Sequence, residues 1–115
     1  MKPFGEKPKP KLEKEHYADL RKLMVSRGWM VKKVTASAYM LGWPDVFCAH
    51  KDFGVRWIET KRPVTGKLSD DQIRVFTEFQ THGVGIWILE TAMDYNLLFG
   101  RPNWWQYTVK EFRPH

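Results

Sequence analysis

The chain reads as an α/β protein with a mixed central sheet, and three stretches of its sequence carry that reading. Residues 12–27 hold Tyr17, Leu20, Leu23 and Met24 at helical spacing, with Gly28 at the stop position. Residues 46–49 and 55–58 are apolar, β-branched or aromatic runs separated by Lys51, Asp52, Phe53 and Gly54, which predicts a hairpin. A second helical stretch opening at Ser69 runs into the continuous apolar segment 84–89. A hairpin is antiparallel, whereas a helix joining two strands implies a parallel pair, so both kinds of pairing share one sheet. The predicted order is helix, strand, strand, strand, helix, strand.

A chain of 115 residues can bury one modest core, and the expected division is an arm over residues 1–11 and a single domain over 12–115. The 19 Lys and Arg outnumber the 13 Asp and Glu, for a net charge of +6 that favours an anionic partner such as nucleic acid. Cys48 is the single cysteine, which excludes an internal disulfide and leaves no Cys and His cluster of zinc-ligand spacing. The apolar run 84–89 falls far short of the roughly 20 residues that span a bilayer. Residues 1–15 lack the apolar segment of a signal peptide. The expected setting is cytoplasmic, with no membrane partner.

In chain order, Pro3, Pro8 and Pro10 among Lys2, Lys7, Lys9 and Lys11 favour an extended, solvated arm. It either solubilises the chain or lies along phosphates, and solubilising is the simpler account. On the first helix Glu13 falls on the inward stripe and Glu15 on the opposite face, although a first-turn glutamate is also explained by the helix dipole. His16 reads as a satisfied or partly exposed histidine. Residues 29–37, around Lys32 and Lys33, read as the first strand, and 38–43 as a loop. Pro63 should close the hairpin just after Arg62, and Gly66 is the hinge of the connection 64–68.

Ser69 and Gln72 form an S-x-x-Q capping box, followed by Ile73, Phe76 and Phe79 at helical spacing up to Gly83. The cap alone accounts for Gln72. Residues 91–99 read as a short helix capped by Thr91, and 103–109 as a further strand. Trp104, Trp105 and Tyr107 can stack on bases, cover the core or meet a second subunit, and bunched aromatics favour the last two.

The hairpin carries the candidate site. With its turn centred on Asp52, Phe47 faces Trp57, Ala49 faces Val55 and Asp45 faces Glu59. Directly opposed residues stand about 5 Å apart at Cβ, so two carboxylates repel there unless something such as a divalent cation neutralises them. Side chains alternate along a strand, which sets Glu59 and Lys61 on the side of Asp45, and Ile58 and Thr60 on the other. The face is apolar at the turn end and charged at the open end. A surface salt-bridge cluster is the competing account of Asp45, Glu59 and Lys61.

Pro44-Asp45 followed by Glu59-Thr60-Lys61 resembles the PD-(D/E)xK nuclease superfamily. Gly42 and Trp43 before Pro44, Glu13 with Leu20 and Met24 on the first helix, and Leu68, Ser69, Asp70, Asp71 and Gln72 opening the second narrow the resemblance to the virus-type replication-repair nuclease (VRR-NUC) family. It implies a restriction-endonuclease-like three-layer fold and a Mg²⁺-dependent DNA endonuclease, with Mn²⁺ as a substitute. It further implies Asp45, Glu59, the Thr60 carbonyl and Glu13 as metal ligands, Lys61 as the catalytic lysine and Gln72 as its support. Members commonly carry an arginine directly after PD, where this chain has Val46. Lys32, Lys33, Arg62 and Lys67 flank the site and are the expected DNA contacts. By analogy the substrate is branched DNA such as a Holliday junction, cut by a homodimer in a bacterial or phage-infected cell. A flap or restriction-type nuclease, or a non-cleaving DNA-binding module of the same fold, is the alternative.

Overall fold

A computed structural model describes residues 13–35, 37–61 and 66–108, without the side chain of Glu13. The arm 1–11 and Arg62 lie outside the described residues. Helix α1 (Glu13–Ser26) is anchored by Leu20 and Met24, which are one turn apart and buried, with Tyr17 and Leu23 half-buried beside them. Gly28 ends it at φ +93°, letting the Trp29 N–H return to the Met24 carbonyl at 3.0 Å.

Four strands follow in spatial order β1 (Met30–Lys33), β2 (Val46–His50), β3 (Gly54–Thr60) and β4 (Ile86–Leu89). The first two pairings are antiparallel and β3 runs parallel to β4, with helix α2 (Asp70–Thr81) in the crossover. The hairpin register is the predicted one, Phe47 opposite Trp57 and Ala49 opposite Val55. Val46, Cys48 and Ile58 pack toward α1, whereas Trp57, Ile86 and Ile88 pack toward Val75 and Phe76 of α2. The sheet is therefore the middle of three layers, as expected. Among the described residues no helix is long and apolar enough to cross a membrane.

Three local expectations are corrected. The first strand stops at Lys33 instead of running to residue 37: the Val34 N–H still donates to the Asp45 carbonyl at 2.8 Å, but the Asp45 N–H is given to Glu59 instead of returning to β1. Residues 91–99 do carry the Thr91 cap, paired with Asp94, but wind as the 3₁₀ segment Ala92–Phe99. Residues 103–109 form no strand where described: Trp104–Tyr107 is a 3₁₀ turn. In place of a fifth strand, the Asn103 carboxamide pairs with the free edge of β4. It accepts from Ile88 N–H at 2.6 Å and donates to the Ile88 carbonyl at 3.0 Å. Trp104 goes into the core, edge-on to Phe76, and donates its indole N–H to Gln80; Trp105 stays 57% exposed.

Candidate active site

The loop before β2 is pressed onto the first turn of α2. A Cβ at residue 42 would stand 2.6 Å from the Asp71 carbonyl oxygen, and the backbone there has φ +84°, so both space and conformation call for Gly42. Pro44 is buried just beyond it. Asp45 is thus delivered to the head of β2, at a cleft of about 320 Å³ shared with Val34, Met40, Glu59, Ser69 and Gln72.

The two carboxylates of the hairpin interlock. The Asp45 N–H donates to Glu59 Oε1 at 3.1 Å, while Asp45 Oδ1 accepts from the Thr60 N–H at 3.1 Å and Oδ2 from the Thr60 hydroxyl at 2.7 Å. Alternation predicted Thr60 on the far face. Asp45 precedes the first paired residue of β2, so the pleat does not fix its direction, and its carboxylate turns to meet Thr60. Thr60 therefore enters the site through its hydroxyl and N–H, a role that sequence reasoning missed.

Glu59 is 5% exposed at the end of β3. Burial, reinforced by the charge of Asp45, pushes its carboxyl up from 4.5 to about 7, against the opposing pull of Lys61 and Gln72. Its Oε2 accepts from Gln72 Nε2 at 2.9 Å and lies 3.2 Å from Lys61 Nζ. Lys61 also donates to Gln72 Oε1 at 3.2 Å.

Gln72 satisfies both of its readings at once. The cap is complete: Ser69 Oγ accepts from the Gln72 N–H at 3.1 Å, and Gln72 Oε1 accepts from the Ser69 N–H at 2.9 Å. That bond faces the carboxamide oxygen to the two donors Ser69 and Lys61, which leaves the NH₂ aimed at Glu59. Helix initiation thereby orients a side chain of the site.

Of the remaining candidates, Glu13 is the first residue of α1, with its side chain outside the description. Lys32 and Lys67 are exposed. Lys33 reaches the site directly, with Nζ 3.6 Å from Asp45 Oδ2 and 4.2 Å from the ring centroid of Tyr17. Its register opposite Val46, one residue from Asp45, brings it there; the ion pair with Asp45 is what the sequence reading did not name. The buried Cys48 thiol donates to the Arg56 carbonyl and is pushed up to about 12 by burial, which makes it a core group and no nucleophile.

Among the described residues no group of three or more His, Cys, Asp and Glu gathers as a closed metal cage. The donor set instead suits a hard cation such as Mg²⁺, which takes one or two carboxylates and keeps its waters for a substrate phosphate. Asp45 Oδ1 and Glu59 Oε1 each accept one hydrogen bond among the described residues, leaving lone pairs for a cation.

A mixed sheet between two helical layers thus carries Pro-Asp at the head of one hairpin strand and E-x-K at the end of the other. Among solved structures the chain is similar to a VRR_NUC domain at a TM-score of 0.66, covering 76% of this chain and 92% of that one. The two are 17% identical, and what they share is the fold: this chain has the VRR_NUC fold. No protein-family model matches the chain, and no curated protein does.

Proposed function

We propose that the chain is a VRR-NUC nuclease: a metal-dependent DNA endonuclease that hydrolyses phosphodiester bonds, selects branched DNA of the Holliday-junction type, and acts as a homodimer. The observation that carries this reading is the interlocked cluster of Asp45, Glu59, Lys61 and Gln72 on a VRR_NUC fold. Asp45 and Glu59 would hold Mg²⁺ or Mn²⁺, with the Thr60 carbonyl and Glu13 as the further ligands that the resemblance implies. Held there, such an ion would supply Lewis acidity toward the scissile phosphate and toward an attacking water.

The protein's own groups do the positioning. Thr60 fixes the Asp45 carboxylate through two hydrogen bonds. Lys61 spends two of its three N–H donors on Glu59 and Gln72, which holds the ammonium still and leaves one donor for the attacking water or a phosphate oxygen. Lys32, Lys33, Lys67 and Arg62 would bind the flanking phosphates. Branched-DNA selectivity is favoured by the size of the domain, which offers little room to read a long sequence.

The test is cleavage of a four-way junction, a flap and a plain duplex in Mg²⁺, with Asp45→Asn alongside. The parent should cut the junction, lose cutting in chelator, and bind without cutting in Ca²⁺, while Asp45→Asn keeps the fold and loses activity. Preferred cutting of the flap or duplex selects the alternative nuclease readings. Tight binding with no cutting of any substrate selects the non-cleaving module.

A further inference from the structure

The two carboxylates of the site have two ammoniums, and these are held very differently. Lys61 is 14% exposed and tied at 3.2 Å to both Glu59 and Gln72. Lys33 is 51% exposed, 3.6 Å from Asp45 Oδ2, with Nζ over the Tyr17 ring at 4.2 Å. Without a metal, and with Glu59 ionised, the four charges cancel. A divalent cation arriving at Asp45 and Glu59 adds two positive charges where two ammoniums already offset the carboxylates, and the cation it repels most easily is the loosely held one.

We propose that Lys33 is a built-in counterion of Asp45, which competes with the metal and is released by it toward substrate phosphate. The inference rests on the metal-dependent reading above. Tyr17 makes the exchange workable, because its ring face offers Nζ a second resting contact beside the carboxylate, so the ammonium stays at the cleft when its ion pair opens. Metal uptake and DNA binding are then coupled through one side chain, each favouring the other.

Titration of the full chain with Ca²⁺ alone tests this. Lys33→Ala and Lys33→Gln, the latter keeping most of the stem over Tyr17, should bind Ca²⁺ up to about fivefold tighter than the parent, the range an exposed ion pair spans. Lys51→Ala, the same charge change on the exposed hairpin turn, should not. With a four-way junction, Lys33→Ala should lower the salt slope by about one in Ca²⁺ and leave it unchanged in chelator. A parent that takes up no Ca²⁺ overturns the metal reading itself. A parent that binds Ca²⁺ while both Lys33 variants bind no tighter overturns the role of Lys33 alone.

Discussion

Glu59 is a carboxylate that the fold would sooner keep protonated, since its value rises from 4.5 to about 7 on burial beside Asp45. In chelator the stability it contributes is fully present below about 4.5 and is lost as pH rises through about 7, because the unfolded chain ionises first. Thermal melts in chelator should therefore fall between pH 5 and pH 8, and a divalent cation should offset the fall at pH 8 and not at pH 5. A cation effect equal at both values would remove Glu59 as a ligand. Lys61 separates rate from affinity: Lys61→Ala should lose on the order of 10²-fold or more in single-turnover cleavage while binding a junction in Ca²⁺ nearly as the parent does. Glu59→Gln should weaken metal binding, which Lys61→Ala should not. If Lys61→Ala loses affinity in proportion to rate, the lysine is a binding group.

At the scale of elements, the N-terminus of α2 and the cluster of Asp45, Glu59 and Lys61 are joined through one carboxamide, and Gln72→Glu pulls them apart. A glutamate still accepts from the Ser69 N–H, so the cap survives, but it sets a carboxylate where an NH₂ now donates to Glu59 at 2.9 Å. The variant should melt near the parent at pH 5 and well below it at pH 8. A deficit that does not vary with pH would mean that the cap, and not Glu59, feels the change.

What the sequence disclosed about these elements follows from how local each cause is. The hairpin register needs only a turn centre and alternation, and the cap needs only Ser69 and Gln72, so both were legible. The direction of the Asp45 carboxylate depends on where pairing begins, a tertiary fact. The fate of residues 103–109 depended on competition for the edge of β4, which the Asn103 side chain occupies before any backbone can, and an aromatic run does not announce that.

For the whole molecule, the net charge of +6 becomes useful only where it is placed. Lys32 and Lys33 lie on β1, which leads into Val34 of the cleft, and Lys67 lies two residues before its Ser69, with Arg62 next to Lys61 in the sequence. Replacing all four should flatten the dependence of junction affinity on salt by about three to four in slope. An unchanged slope would place the DNA on another surface. If the proposed activity holds, Gln72 would be kept even by a descendant that had stopped cutting, because its helix still has to start. Among the described residues the Lys61 ammonium is paired only with Glu59 and Gln72, and it would drift once the cutting that uses it was lost. Position 61 is therefore the column to read when sorting living enzymes from retired ones, and position 72 is the one that misleads.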